Sequence, residues 1–414
     1  MRRSANADAK RRAQQGAPAL NRWLLILALL LSACAPTAVA TPTPTAETTP
    51  SATTIATPSP TPTATVACAT RVLAGMTEEQ RIGQLFLLGL ANDQLGAAEM
   101  NAIHTYHIGS VWFVEQSTAG AGAIRAVADA VQALATADTT ASVRFFVAAN
   151  QEGGIIQSLS GPGFSTIPSA LDQGAIDPAT LRSRAALWGR ELASAGVNLN
   201  FAPVLDVVPP GTDAQNAPIG ALRRGYGHDP ATVSLHAIAF IRGMADAGIA
   251  TTGKHFPGLG RVTGNTDFTS AVDDVTTAND AYLSPFHDAI AAGIPMVMVA
   301  LAKYQKVDAT ELAVFSPTVV RQMLRVSLGF NGVVVSDDLG ATVAVANIAP
   351  ADRAIGFLEA GGDLIISKTV APANAMATAI AARASSDTAF KARVDDAALR
   401  VLRAKITFGL VRCS

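Results

Sequence analysis

Charged and aromatic residues are both scarce in this chain of 414 residues, and each shortage excludes a class of function. Only 15% of the residues are charged and the formal net charge is −1, so no basic surface for a nucleic acid or another polyanion is expected. Aromatic residues make up 5% of the chain, too few for the stacking platforms of a single-strand binder. Disorder of the whole chain is excluded too, because a chain with 49% hydrophobic residues collapses into a core.

Long apolar runs are also missing. The longest covers residues 23–31, whereas a membrane-spanning helix needs about 20 such residues. Basic residues precede this run and small residues follow it, which is typical of a secretory signal over residues 1–33.

The four residues Leu-Ser-Ala-Cys at 31–34 resemble the lipobox of bacterial lipoproteins, in which the cysteine is lipidated and becomes the N-terminus. We therefore expect a lipid on Cys34 that anchors a secreted protein to the outer side of the bacterial cytoplasmic membrane. An ordinary signal cut near Ala40, with Cys34 incidental, is the alternative.

Residues 34–65 consist almost entirely of Thr, Pro, Ser and Ala. Such a segment cannot bury a core, and its prolines favour an extended polyproline II chain. It is interpreted as a disordered stalk, which leaves residues 66–414 as the folded domain.

Cysteine is rare, and apart from Cys34 the chain has only Cys68 and Cys413, one near each end of the predicted domain. In an oxidising compartment these two can form a disulfide that joins the ends. Two unpaired thiols are the alternative. Two isolated cysteines lack the spacing of metal ligands, so no metal site is expected.

Short apolar runs alternate with helical patterns through the predicted domain. The runs are continuous, as in parallel strands buried on both faces. Helix starts are marked by acidic N-caps before proline at Asp177-Pro178 and Asp229-Pro230. Eight strands alternating with helices predict an α/β fold, a single (β/α)8 TIM-type barrel. A doubly wound open sheet is the alternative. The predicted strands are 86–90, 110–114, 145–149, 199–202, 250–253, 296–300, 332–336 and 364–367.

Polar residues follow four of these strands, at the barrel end where active sites are built. One such cluster is explained well enough by a helix cap or a buried histidine, but four together favour an active site for a hydroxyl-rich ligand. The clusters are Asn-Gln-Glu-Gly-Gly at 150–154, Pro-Val-Leu-Asp at 203–206, Lys-His-Phe-Pro-Gly at 254–258 and Ser-Asp-Asp-Leu-Gly at 336–340.

These strings resemble glycoside hydrolase family 3, and specifically its bacterial single-domain β-N-acetylhexosaminidases, from about Met76 to the C-terminus. The resemblance implies a (β/α)8 barrel without a cofactor, which hydrolyses terminal β-linked sugars with retention of configuration. Its substrate would be a glycan or a peptidoglycan fragment.

The resemblance also implies roles for individual residues. Asp337 matches the nucleophile that forms a glycosyl-enzyme. Arg224 matches a sugar-contacting arginine, and Lys254 and His255 match a pair that binds sugar hydroxyls. Asp338 is interpreted as a helix cap or a structural acceptor.

Asn150 and Asp206 are also assigned to substrate binding, although Asn150 stands where the family has aspartate. Ser158 falls where an arginine usually contacts the substrate.

The proton-transfer side departs further from the family pattern. The hexosaminidases carry an Asp-Ser-His motif whose aspartate and histidine act as acid/base, whereas this chain has Asn265, Thr266 and Asp267 there. Our hypothesis is that Asp267 itself is the acid/base, with a pKa raised by burial or by a like charge. The alternatives are a catalytically impaired carbohydrate-binding lipoprotein, a structural lipoprotein and a β-glucosidase-type specificity.

Overall fold

The computed structural model describes residues 62–413. The predicted signal sequence, Cys34 and most of the predicted stalk lie outside the described residues. The first helix begins at Pro62, a little before the predicted domain boundary near Val66. Proline suits this first helical position because its missing N–H would have no partner there.

Eight parallel strands close into one barrel, which confirms the predicted (β/α)8 fold. Each strand pairs with its neighbours in the sequence, and β8 pairs with β1 through Leu87 opposite Ile366. The strands are β1 Phe86–Leu90, β2 Ser110–Phe113, β3 Phe146–Ala149, β4 Leu199–Asn200, β5 Ala250–Phe256, β6 Met296–Val299, β7 Val333–Asp338 and β8 Leu364–Ser367.

Helices surround the barrel, and none between residues 62 and 413 is long and apolar enough to cross a membrane. The side chains of Asp177 and Asp229 accept the N–H groups of Thr180 and Thr232, as N-caps should. The helices are α1 Pro62–Gly75, α2 Glu78–Gly83, α3 Ala97–Tyr106, α4 Ala121–Ala133, α5 Ala137–Thr140, α6 Ala170–Gln173, α7 Pro178–Ser194, α8 Pro230–Asp246, α9 Ser284–Ala291, α10 Pro350–Ala360, α11 Val370–Ser386 and α12 Thr388–Thr407, with a π-helix at Thr318–Ser327.

Shorter elements lie in the connections between the barrel strands and the helices. They are the 3-10 turns Ala91–Asp93, Ala281–Leu283, Ala313–Phe315 and Val343–Val345, and the short strands Gln151–Gly153, Ile156–Gln157, Val272–Asp273, Lys303–Tyr304 and Asp308–Leu312.

The barrel strands are apolar on both faces because both faces are buried. Alternate residues from all eight strands pack together inside the barrel, for example Leu87, Val335 and Ile366. Their neighbours in sequence, such as Leu88 and Ile365, belong to the larger core beneath the helices. This two-sided burial produces the continuous apolar runs seen in the sequence.

Two strands run further than predicted, and both carry polar residues at their ends. β5 continues through Lys254 and His255 to Phe256, and β7 continues through Asp337 to Asp338. These polar residues interrupt the apolar sequence pattern but remain in the strands. Their side chains are tolerated there because this end of the barrel opens into a polar cavity.

A disulfide joins Cys68, at the buried side of α1, to Cys413 near the end of the chain. The two Cα atoms are 5.7 Å apart, and 345 positions separate the residues in the sequence. A cross-link over so long a loop restricts the unfolded chain strongly.

We expect the double variant Cys68→Ser/Cys413→Ser to lose about 2–4 kcal/mol of unfolding free energy under oxidising conditions, because its unfolded chain is no longer cross-linked. Denaturant unfolding of both proteins, with Cys34→Ser as the control, measures this. Equal stability of the double variant and the wild type would show that the disulfide contributes nothing.

Candidate active site

A cavity of about 430 Å³ lies at the end of the barrel where the strands finish. Its floor is apolar, formed by the last inward-facing side chains of the barrel core, Trp112, Phe201, Met298 and Ile366. Its walls are polar and come from several strand ends and loops. An apolar floor with polar walls suits a sugar ring, whose faces are apolar and whose hydroxyls need hydrogen bonds.

One wall is a buried charge network centred on Glu152. Arg224 donates two hydrogen bonds to its carboxylate, each 2.8 Å long, and Lys254 Nζ lies 2.6 Å from Oε1. Lys254 Nζ also donates to Asn150 Oδ1 at 2.8 Å, and Arg224 donates to the carbonyl oxygen of Pro218. Arg224, Lys254 and Asn150 line the cavity, while Glu152 fixes two of them from behind.

The charges in this network stabilise one another. Burial alone raises the pKa of Glu152, but Arg224 and Lys254 outweigh burial and hold that pKa at about 2. Burial lowers the pKa of Lys254, and the negative charges of Glu152 and Asp337 oppose this. The wall therefore presents two positively charged side chains that share a single buried partner.

His255 is held by Asp206. The imidazole Nδ1–H donates to Asp206 Oδ2 at 2.8 Å, and Asp206 Oδ1 accepts the backbone N–H groups of His255 and Leu259. Asp206 is completely buried and does not line the cavity, whereas His255 does. The prediction that Asp206 binds substrate is therefore corrected: its oxygens are already occupied, and it positions the imidazole.

The two neighbouring aspartates at the end of β7 have different environments. Asp338 is buried and accepts the N–H groups of Gly340, Ala341 and Lys368, so it is a structural acceptor, as expected from the sequence. Asp337 is half-buried, lines the cavity and accepts only the N–H of Asp338, at 2.8 Å. Within the described chain, Asp337 Oδ2 has no hydrogen-bond partner and is thus available to a ligand.

Asp267 lies on the loop after β5 and also lines the cavity. The loop is fixed by its backbone, because the carbonyl oxygens of Thr266 and Asp267 accept the N–H groups of Ala344 and Val343. Asn265 Oδ1 accepts the N–H of Asp267 at 3.0 Å, so Asn265 orients the loop.

The pKa of Asp267 is raised, although its side chain reaches solvent. Partial desolvation in the cavity is the main cause, and the negative charge of Asp337 adds to it, against the lowering effect of Arg224, His255 and Lys368. A carboxyl group with a raised pKa beside a second carboxylate is the usual environment of a general acid.

Six of the predicted site residues meet in this cavity: Asp337, Asp267, Arg224, Lys254, His255 and Asn150. Ser158 does not line it; its N–H donates to the carbonyl oxygen of Asn150.

Sequence reasoning missed Glu152, Phe268 and Lys368. Glu152 stood inside the recognised string at 150–154, and Lys368 directly follows β8, so both positions carried a signal. Between residues 62 and 413, no group of three or more acidic, histidine or cysteine side chains is arranged to hold a metal ion.

Comparison with known proteins assigns this chain to a family. Residues 77–404 match the family described as Glycosyl hydrolase family 3 N terminal domain. The beta-hexosaminidase of Stenotrophomonas maltophilia (strain R551-3) is 33% identical over 293 residues, which cover 68% of this chain and 82% of that protein. The beta-hexosaminidase of Xylella fastidiosa (strain 9a5c) is also 33% identical, over 74% of this chain and 89% of its own length.

Solved structures agree with the sequence comparison. The beta-N-acetylhexosaminidase from Beutenbergia cavernae DSM 12333 is 48% identical with a TM-score of 0.78, covering 80% of this chain and 98% of that one. The family 3 beta-N-acetylglucosaminidase from Paenibacillus sp. str. FPU-7 is 27% identical with a TM-score of 0.73, covering 81% and 63%. The chain therefore belongs to glycoside hydrolase family 3.

Proposed function

We propose that this protein is a retaining β-N-acetylhexosaminidase, with Asp337 as the nucleophile and Asp267 as the acid/base. The observation that carries the proposal is that Asp337 and Asp267 line one sugar-sized cavity, in which desolvation and the negative charge of Asp337 raise the pKa of Asp267. The names of the similar proteins support the N-acetylhexosamine preference.

In the first step, the Asp337 carboxylate attacks the anomeric carbon of the terminal sugar. The bond to the leaving group breaks as Asp267 gives its proton to the glycosidic oxygen, which leaves as an alcohol. A covalent ester between Asp337 and the sugar results. Arg224, Lys254 and Asn150 hold the sugar hydroxyls through hydrogen bonds, and His255 adds a further polar group whose orientation is set by Asp206.

In the second step, water replaces the leaving group. The ionised Asp267 takes a proton from the water as its oxygen attacks the anomeric carbon, and Asp337 is released as a carboxylate. Two displacements at one carbon restore the β configuration, so the first product is the β-anomer.

The reaction and its stereochemistry are tested by hydrolysis of 4-nitrophenyl β-N-acetylglucosaminide followed by proton NMR. The proposal requires the β-anomer to appear first and the matching β-glucoside to react more slowly. First appearance of the α-anomer would refute the double displacement, and preference for the glucoside would assign a β-glucosidase specificity instead.

We also propose that the protein is secreted and carries a lipid on Cys34. This rests on the basic, apolar and lipobox-like segments over residues 1–34. The disulfide between Cys68 and Cys413 supports an oxidising compartment.

Lys368 provides a test of the acid/base assignment through pH. Its positive charge favours the ionised form of Asp267 and so lowers that group's pKa. Replacing Lys368 by methionine should raise the pKa of Asp267. Because a general acid must be protonated, the basic limb of the kcat/KM profile should then move to higher pH.

The matched control for this profile is Lys306→Met, which removes an exposed lysine outside the cavity. Its profile should coincide with that of the wild type. A basic limb that stays in place in Lys368→Met would mean that another group sets it.

A further inference from the structure

Phe268 is the most exposed of the large hydrophobic side chains in the described part of the chain, with 77% of its surface open to solvent. It follows the proposed acid/base Asp267 directly and lines the same cavity. The surrounding backbone is fixed, since the N–H groups of Phe268 and Thr269 both donate to the carbonyl oxygen of Asn265. The ring is thus presented at the rim by an anchored loop.

Packing does not account for this ring. A single exposed hydrophobic side chain is common on protein surfaces, but this one is set apart by its position, because it lines the cavity directly beside Asp267. Of the aromatic ring contacts between residues 62 and 413, none involves Phe268. Its apolar face therefore has room for a ligand ring.

The position of Asp267 indicates which part of a bound substrate can contact Phe268. A general acid must lie beside the glycosidic oxygen, with the reacting sugar on one side and the leaving group on the other. In the proposed reaction, the polar wall of Arg224, Lys254 and Asn150 holds the reacting sugar over the floor that includes Trp112 and Met298, all of which line the cavity. Phe268 directly follows Asp267 and is exposed at the cavity, so a leaving group that takes the proton of Asp267 would lie within reach of its ring.

We propose that Phe268 is the platform on which the leaving-group sugar stacks, so that the protein prefers substrates with a second pyranose ring. This inference rests on the proposed function, and it names a specificity-determining residue that the reaction chemistry alone does not require. A pyranose ring presents an apolar C–H face to an aromatic ring, and such contacts add to the binding energy gained from burial.

The test compares a disaccharide with a substrate that has almost no leaving group to stack. Phe268→Ala should lower kcat/KM for N,N′-diacetylchitobiose about tenfold and leave kcat/KM for methyl β-N-acetylglucosaminide nearly unchanged. Phe268→Tyr keeps a flat ring and should restore the disaccharide activity. Leu235→Ala removes a half-exposed apolar side chain from α8, away from the cavity, and should change neither substrate.

The two proposals fail in different ways. If the wild type hydrolyses neither substrate, the proposed function fails. If the wild type hydrolyses both and Phe268→Ala loses activity on both equally, or on neither, the platform is overturned while the proposed function stands. Melting temperatures of all variants are measured alongside, and no change is expected for so exposed a side chain.

Discussion

Asparagine in place of Asp337 is expected to lower kcat by about four orders of magnitude or more on aryl β-N-acetylglucosaminides. The amide cannot form the glycosyl ester, so the double displacement loses its first step. The side chain is half-buried and nearly isosteric, so folding should be unaffected. Steady-state kinetics together with circular dichroism and a melting temperature measure both parts of this expectation.

The matched control is Asp274→Asn, which changes an exposed aspartate outside the cavity and should keep wild-type kinetics. Retention of more than a few per cent of activity in Asp337→Asn would remove Asp337 from the role of nucleophile. Loss of activity together with a large loss of stability would indicate a structural role instead.

The Asp267→Ala variant should show a loss that depends on the leaving group. A glycoside with a poor leaving group, such as the methyl glycoside, needs protonation of its oxygen, and kcat/KM should fall about 10²- to 10⁴-fold. A 2,4-dinitrophenyl glycoside releases its leaving group as a stable phenolate that needs no proton, so kcat/KM for this substrate should change little. Azide should speed the turnover of that substrate, because an anionic nucleophile needs no general base.

Thr269→Ala controls for disturbance of the same loop, since Thr269 is exposed and lies outside the cavity. A uniform loss on every leaving group in Asp267→Ala would indicate that Asp267 positions the sugar rather than transferring a proton. Unchanged turnover of the methyl glycoside would remove Asp267 from the reaction altogether.

The fold was predictable because strands that are buried on both faces appear in the sequence as continuous apolar runs. Strands β1 and β8, buried on both faces and ended by polar or turn residues, were predicted with the observed bounds, Phe86–Leu90 and Leu364–Ser367. The largest errors in strand bounds fell where the barrel opens into the cavity. There, Lys254, Asp337 and their neighbours remain in strands although they are polar, because the site supplies their partners.

The sequence predicted six residues that meet in one cavity, but it did not predict the partners that hold them. Asp206 and Glu152 are both carboxylates in polar strings after strands, and nothing local shows that each is turned away from the substrate. Their roles depend on pairing with His255 and Arg224, which lie 49 and 72 positions further along the chain. The exposure of Phe268 is likewise set by tertiary packing, which a one-dimensional pattern does not contain.

In the loop after β5, the hypothesis drawn from the sequence can be compared directly with the structure. The sequence showed that the family's acid/base pair is replaced by Asn265 and Asp267, and it suggested a raised pKa for the aspartate. In the structure, Asn265 orients the loop backbone and the pKa of Asp267 is raised by desolvation and by Asp337. These observations support a single carboxylic acid in place of the pair.

The central claim, a glycosyl-enzyme on Asp337, is tested most directly by trapping it. A 5-fluoro N-acetylglucosaminyl fluoride should inactivate the wild-type protein and add one sugar per chain by mass spectrometry, on the peptide that contains Asp337. The Asp337→Asn variant should remain unlabelled. Sugar binding without any covalent label, or a label on a different carboxylate, would contradict the account.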